Sequence, residues 1–359
     1  TPRRIASGAV VRSFLSPDGG HIAFTRGPQG NALSLWAVDA DGVAERELVG
    51  PEALAADVDT ALVRRHIGQV AWLDARIVLF NTLLVPRFPA PGGSKADDLW
   101  RADAITGQAA RLLPDGQGGD FAISPDGVWI ALVTPGAYAG APGLIRLTTA
   151  RGEAVADLLR FDAASTASEY AFYPRPHWLP DSSALLVAIP DPDLVYPPQP
   201  GEAPRTAALW RVDTAGVARL IGAVPASFFG LPRWSLDGTW MTYLEQVGAV
   251  TDNILALILA RGDGSQPERI VTGSAGALEP PAWHPARAVF TYTAGAPGEV
   301  WFGSPDAPPT RFPAEGQPAF ALIWADATAA IYASAPGGPY ELRLFDRENP
   351  TPALIAVVQ

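Results

Sequence analysis

The chain of 359 residues contains no cysteine. This absence excludes disulfide bonds, zinc–thiolate sites and thiol nucleophiles together. Lysine is almost absent as well, because Lys95 is the only one among 26 basic residues, and 37 acidic residues bring the formal net charge to −11. Since nucleic acids and anionic membrane surfaces bind basic protein faces, the sequence predicts neither as a partner.

No run of about 18 or more apolar residues occurs, so we expect no transmembrane segment. The sequence starts at Thr1, which favours a processed N-terminus. On that basis we expect an extracytoplasmic protein, either periplasmic, secreted or lipid-anchored through a segment that this sequence does not contain. A cytoplasmic location is the alternative.

A short turn motif recurs along the chain between two apolar strands. Its clean copies are the Ser-Pro-Asp-Gly sequences at 16–19 and 124–127. Proline presets the backbone for the turn, aspartate bonds its own backbone and glycine accepts a positive φ, so we interpret the motif as structural. Five weaker copies each begin at a tryptophan, and we predict that these indoles lie in the core between sheets: Trp72, Trp178, Trp234, Trp283 and Trp324.

The seven copies follow one another at intervals of about 40 to 56 residues, and a four-stranded propeller blade needs ~40 to 45. A second pair of alternating strands, joined by a polar turn such as 39–42, follows the motif. We therefore predict an all-β protein, a seven-bladed β-propeller of four-stranded antiparallel blades that forms one domain over 1–359. The expected blades are 10–50, 67–114, 118–160, 173–222, 228–272, 279–313 and 317–358.

This repeat resembles that of the TolB-type, WD40-like propellers, which also form the propellers of prolyl-oligopeptidase-like peptidases. The resemblance covers essentially the whole chain, although the copy at Ala286 lacks the aspartate. It implies a propeller that serves as a partner platform, a ligand binder or an enzyme gate. A peptidase would also need a hydrolase domain with a Gly-x-Ser-x-Gly elbow, and the nearest string, 272–276, lacks the first glycine.

The first strand of each propeller blade lines the central channel, so residues at the start of these strands are candidates for binding a ligand. His177 and Arg233 precede Trp178 and Trp234 in the same register, and we expect them to be neighbours. Such a pair suits an anionic or carbohydrate ligand, or it forms a hydrogen bond between two blades. The full set of predicted ligand-binding residues is Arg65, His66, Asp120, Tyr173, Arg175, His177, Arg233 and Glu279.

Three long connections between second and third strands, 81–97, 134–142 and 189–206, fall in consecutive blades and predict a raised rim. The rim residues that we single out are Arg87, Phe88, Tyr138, Asp191, Asp193 and Tyr196. We predict a non-enzymatic binding or scaffold protein that recognises a protein or cell-envelope component through this face. The alternative is a carbohydrate or other small-molecule binding protein, or a hydrolase, with its site at the channel mouth.

We assign no catalytic residue, no cofactor and no metal site from the sequence. The four histidines fall at different stations of the repeat, whereas a metal centre needs several ligands at one level. Oligomeric state is not predicted.

Overall fold

The structure is a computed structural model. It describes residues 10–28, 31–87, 95–96, 98–136, 141–165, 171–193, 205–225, 230–248, 252–275, 277–278, 281–294, 299–311, 319–324, 329–334, 340–346 and 349–358. The chain forms two compact units, one comprising Arg3–Leu185 with Val212–Ala218 and the other Leu186–Arg211 with Arg219–Gln359.

The first unit contains three complete sheets, whose strands pair in chain order with antiparallel neighbours. The first sheet consists of β1 (Val10–Leu15), β2 (His21–Arg26), β3 (Ser34–Asp39) and β4 (Arg46–Val49). A short helix, α1 (Pro51–Ala55), follows it. The second sheet consists of β5 (Val63–Trp72), β6 (Ile77–Pro86), β7 (Lys95–Ala96), β8 (Leu99–Asp103) and β9 (Ala109–Leu113). The third consists of β10 (Asp120–Ile123), β11 (Trp129–Thr134), β12 (Gly143–Thr149) and β13 (Ala154–Phe161).

A fourth sheet has the same strand order and consists of β14 (His177–Trp178), β15 (Ala184–Pro190), β16 (Thr206–Asp213) and β17 (Ala218–Pro225).

The second unit contains three further sheets of four strands each, paired in chain order. The fifth consists of β18 (Arg233–Trp234), β19 (Trp240–Val247), β20 (Ile254–Arg261) and β21 (Glu268–Ser274). The sixth consists of β22 (Ala282–Trp283), β23 (Phe290–Ala294), β24 (Glu299–Ser304) and β25 (Ala307–Arg311). The seventh consists of β26 (Ala319–Trp324), β27 (Ala329–Ser334), β28 (Tyr340–Asp346) and β29 (Asn349–Val358).

The second sheet departs from the four-strand prediction because it has a fifth strand. β6 is ten residues long and extends past the end of β8, so its free ladder positions pair with β7, where Leu83 is opposite Ala96. Residues 81–86, which were expected in a long loop, therefore continue the strand. The expectation that 81–97 is a plain insertion is wrong for this part of it.

Strand β6 shows why the sheets stack face to face. Successive side chains of a strand point to opposite faces, and both faces of β6 are apolar. Val78 and Phe80 pack in the core with the first sheet, whereas Ile77 and Leu79 pack with Phe121 of the third. A strand that is buried on both sides reads as a continuous apolar run rather than an alternating one.

Three of the repeated tryptophans join neighbouring sheets by a hydrogen bond as well as by packing. Trp72 Nε1 donates to the carbonyl of Phe14, 2.9 Å away, which lies on the first strand of the preceding sheet. Trp178 makes the equivalent bond to the Ala122 carbonyl at 3.0 Å. In the second unit, Trp283 bonds the Arg233 carbonyl at 2.8 Å.

The turn aspartates hold their turns together. In the third sheet Asp126 Oδ1 accepts hydrogen bonds from the Ser124 hydroxyl and from the Val128 amide, and Gly127 has a φ of 70°. Where the motif reads His-Pro-Ala, His284 Nδ1 accepts a bond from the Ala286 amide at 2.9 Å. The imidazole at the serine position thus accepts a bond within this turn, although from a different amide than the one that the aspartate binds.

We predict that Asp126→Ala lowers the free energy of unfolding by about 1 kcal/mol, because two donors lose their acceptor. The Ser124 hydroxyl and the Val128 amide hold the pKa of Asp126 below its usual value, against a smaller opposing effect of burial. The stabilisation of the fold by the Asp126 carboxylate should therefore be complete above about pH 4. It should fade as the pH falls through the lower folded-state pKa of this group. Urea unfolding followed by tryptophan fluorescence measures it.

The control is Asp126→Asn, which keeps one acceptor oxygen and should lose less stability, with no dependence on pH from this site. Equal stability of the wild type and Asp126→Ala at pH 7 would contradict a structural role.

Candidate functional site

A cavity of about 1040 Å³ lies in the first unit, beside the first strands of three consecutive sheets. Its walls come from β1, β5 and β10 and from the segment that precedes β14. Most of the side chains in the walls are apolar, and the charged groups among them are Arg12, Asp120 and Arg175.

A β-bulge in β5 shapes one wall of the cavity. Between Ile67 and Val70 the register against β6 shifts, so that Gly68 and Gln69 together oppose Asn81. The Asn81 Oδ1 atom accepts a hydrogen bond from the Gln69 amide at 2.6 Å. A Cβ atom on residue 68 would lie 2.2 Å from this oxygen, so only glycine leaves room for the asparagine.

Two side-chain amides connect this bulge to the third sheet. The Asn81 Nδ2 atom donates to the Gly119 carbonyl at 2.9 Å and to Asp120 Oδ1 at 3.0 Å. Gln69 pairs with the backbone of Phe121, because Nε2 donates to its carbonyl at 2.6 Å and Oε1 accepts from its amide at 3.0 Å. Asn81 is completely buried. The network therefore fixes the position of Asp120 on the cavity wall.

Asp120 carries the negative charge of the cavity. Burial raises the pKa of its carboxyl, while the hydrogen bond from Asn81 and the positive charge of Arg175 act in the opposite direction. Arg175 itself is exposed. The positive charge of Arg175 partly compensates the charge of the Asp120 carboxylate, and Asp120 stays accessible from the cavity.

Arg12 is held on the opposite side of the bulge. It follows an irregularity in the β1–β2 ladder between Val10 and Arg12, and its Nη2 atom donates to the carbonyls of Ile67 at 3.0 Å and Gly68 at 2.6 Å. Partial burial lowers the pKa of this guanidinium, which nevertheless stays protonated as arginine does in proteins. No carboxylate within the described ranges forms an ion pair with Arg12.

His66 and Tyr173 complete the polar part of the wall. Burial first and the charge of Arg64 second lower the pKa of His66, so its ring is neutral at pH 7. Its Nε2 atom has no hydrogen-bond partner in the part of the chain that the structure describes. The Tyr173 hydroxyl donates to the Ala96 carbonyl and accepts from the Ala96 amide, both at 3.0 Å. Tyr173 thereby ties β7 to the segment before β14.

The structure brings four of the predicted ligand-binding residues together in this cavity, namely His66, Asp120, Tyr173 and Arg175.

Arg65 does not line the cavity, and its side chain is completely buried. Its guanidinium donates to Asp98 at 2.8 Å, to both carboxylate oxygens of Asp115 at 2.8 Å and to the Thr82 hydroxyl at 2.9 Å. Neighbouring side chains of a strand point to opposite faces, so Arg65 turns away from the cavity that His66 lines. The observed contacts of Arg65 are those of a buried ion pair, and a ligand-binding role for it stays a prediction.

The remaining predicted residues lie elsewhere. His177 begins β14 and Arg233 begins β18, where an Arg233 Nη1 atom lies 3.4 Å from the Pro281 carbonyl; their pairing stays a prediction. On the rim, the Arg87 amide bonds the Leu62 carbonyl, and Asp191 accepts a bond from the Asp193 amide. Glu279, Phe88, Tyr138 and Tyr196 lie outside the described residues.

Sequence reasoning missed Arg12 and Asn81. A signal for the second existed, because a glycine inside an apolar strand, as at Gly68, marks a bulge or a close approach of another group. Nothing in the sequence distinguishes Arg12 from other strand arginines. Its role depends on the carbonyls of the neighbouring sheet.

Among the described residues, no group of three or more histidines or carboxylates could hold a metal ion. No described helix has the length and apolar character needed to cross a membrane.

No family model matches the chain, and no curated protein matches it. Among solved structures, it is similar to a prolyl endopeptidase, with a TM-score of 0.62 and 15% identity over 98% of this chain and 50% of that one. It is similar to dipeptidyl peptidase 4 of Porphyromonas gingivalis, with a TM-score of 0.56 and 13% identity over 99% and 54%. The β-propeller domain of the Trilobed protease from Pyrococcus furiosus gives a TM-score of 0.52 and 10% identity over 83% and 85%.

These similarities place the chain in the β-propeller class of folds. They confirm, for the fold, the predicted resemblance to the propellers of prolyl-oligopeptidase-like peptidases. The chain spans about half the length of the first two structures, at 50% and 54%. Identities this low say nothing about activity.

We predict that Asn81→Asp destabilises the protein by about 3 kcal/mol at pH 7, because it removes two buried donors and places a second carboxylate against Asp120. Repulsion and burial raise the folded-state pKa values of this pair above their unfolded values. The penalty should therefore shrink as pH falls from 7 towards about 5, where the pair takes up a proton. Urea unfolding at both pH values tests this.

The matched control is Asn31→Asp, since among the described residues the Asn31 side chain donates to the Pro28 carbonyl alone, in an exposed turn. Asn31→Asp should change the free energy of unfolding little at either pH. A penalty for Asn81→Asp that does not change with pH would contradict the proximity of the two carboxyl groups.

Proposed function

We propose that this chain is a non-enzymatic binding module, a seven-bladed β-propeller that holds its ligand in the cavity beside the first strands. One observation carries the proposal: the cavity combines Arg12, Asp120 and Arg175 with a largely apolar wall. Binding sites of small molecules occupy ~300 to 1,000 Å³ and combine apolar walls with a few placed polar groups. The cavity, at about 1040 Å³, suits this use.

Binding is favoured over hydrolysis by the residues that the cavity offers. Asp120 supplies the sole carboxyl among the described lining residues, which also include no serine, threonine or lysine. Glycoside hydrolysis needs a pair of carboxyl groups, and acyl transfer needs a nucleophile beside a base. The His66 ring nitrogen Nε2 faces no such nucleophile among these residues.

The seven-bladed arrangement is part of the proposal. The described residues form seven sheets that repeat one strand order, and the first strands of three of them border the same cavity. This is the placement expected when first strands line a central channel in one domain over 1–359.

A protein or cell-envelope partner, bound through the rim in an extracytoplasmic compartment, remains the second candidate. It rests on the length of the connections after β6, β11 and β15. The two candidate functions predict different results, because a partner that binds the rim should still bind when the cavity is blocked.

To test the cavity, we predict that Val11→Trp weakens ligand binding at least tenfold. Val11 lines the cavity at the irregularity in β1, where it has no cross-strand partner and can accept a larger side chain. A defined panel of glucose, galacturonate, glutamate, arginine, adenosine, citrate and 2-naphthoate is screened by thermal shift, and each hit is titrated by calorimetry.

Val128→Trp is the matched control, because Val128 is 48% exposed in a turn and does not line the cavity. It should bind as the wild type does. The proposal is wrong if no compound of the panel binds the wild type, or if every hit binds Val11→Trp with unchanged affinity.

A further inference from the structure

The charges of the described lining residues do not cancel. Arg175 and Asp120 carry opposite charges and His66 is neutral, which leaves Arg12 without a compensating carboxylate among these residues. They therefore carry an excess of about one positive charge, in a chain whose net charge is −11. Arg12 itself is exposed, so an anion in solution can reach it, and the apolar side chains around its anchor weaken the competition from water.

The guanidinium of Arg12 is already oriented. Its Nη2 atom is anchored by the carbonyls of Ile67 and Gly68. An arginine has five N–H donors, so the three on Nη1 and Nε have no partner within the described ranges. Two parallel donors of a fixed guanidinium match the two oxygens of a carboxylate.

The wall next to this cation is apolar and built from small or slender side chains. Val11 precedes Arg12 in β1, the Ile67 carbonyl accepts its hydrogen bond, and the Ala32 carbonyl accepts one from the Ile67 amide; all three residues border the cavity. Such a wall favours hydrocarbon over hydroxyl groups, because a ligand hydroxyl would lose water without gaining a partner there. The body of the ligand is therefore expected to be apolar.

We infer that the cavity binds an organic monoanion, whose carboxylate pairs with Arg12 and whose apolar body lies against the adjacent wall. This inference rests on the proposed function and adds the chemical class of the ligand. The carboxylate belongs either to a free small molecule or to the C-terminus of a peptide, and both present the same chemistry to Arg12.

The test compares three compounds of one shape and different charge by calorimetry at pH 7: 2-naphthoate, 2-naphthamide and 2-naphthylmethylamine. The wild type should bind the anion about tenfold more tightly than the amide, or about 1.4 kcal/mol, and the cation most weakly. Equal affinities, or a preference for the amine, overturn the inference without any variant.

Arg12→Gln should abolish the preference for naphthoate over naphthamide while leaving the affinity for the amide within about twofold. Arg101→Gln is the matched control, because Arg101 is exposed on β8 and lies away from the cavity. It makes the same change of net charge and should keep the full preference. A preference that survives Arg12→Gln, or that Arg101→Gln abolishes equally, overturns the assignment to Arg12.

A second arm compares acetyl-Leu-Phe with its C-terminal amide. Tighter binding of the peptide acid than of naphthoate assigns the carboxylate to a peptide end, and the reverse order assigns it to a small molecule. If neutral compounds bind equally well and Val11→Trp blocks them, the anion inference fails while the proposed function stands. If no compound enters the cavity, both fail.

Discussion

The indole N–H groups of the repeated tryptophans provide the contact on which the stacking of sheets depends. Each of Trp72, Trp178 and Trp283 ends the first strand of its sheet and bonds a carbonyl on the first strand of the preceding sheet. Two of these first strands, β14 and β22, are only two residues long, so their own ladders supply few hydrogen bonds. The large apolar ring and its single donor thus align neighbouring sheets in register as well as hold them together.

The indole contacts that stack the sheets do not use the polar side chains of the first strands. Several of the residues that carry these side chains line the cavity instead. Apolar strands such as β6 and β11 provide the rigid support. Against it, the bulge at Gly68 admits the buried Asn81, whose amide reaches across to Asp120. A buried amide is costly unless all its groups are bonded, and here both ends of the Asn81 side chain are satisfied. The network therefore positions a charged group without leaving an unpaired one behind.

Two arginines of this region, the buried Arg65 and the exposed Arg12, show how partners decide a side chain's role. The Arg65 guanidinium forms ion pairs with Asp98 and Asp115 and a hydrogen bond to Thr82, so its charge is compensated within the fold. Among the described residues, the Arg12 guanidinium bonds two neutral carbonyls and forms no ion pair, which leaves its charge uncompensated there. Compensation by a carboxylate, rather than burial as such, separates a structural cation from one that can recognise an anion.

The sequence by itself was enough for the class of fold, the positions of the turns and the burial of Trp178 and Trp234, because these depend on short-range chemistry. Pro, Asp and Gly act within one turn, and apolar strands can be recognised from their composition. It also placed His66, Asp120, Tyr173 and Arg175 near one another through the repeat. Only the tertiary structure decided that Arg65 turns inward, that β7 adds a fifth strand and that Asn81 and Arg12 build the site. Those outcomes depend on strand register and on the backbone groups of neighbouring sheets. A shift of the register by one residue would move each side chain of the strand to the other face of the sheet.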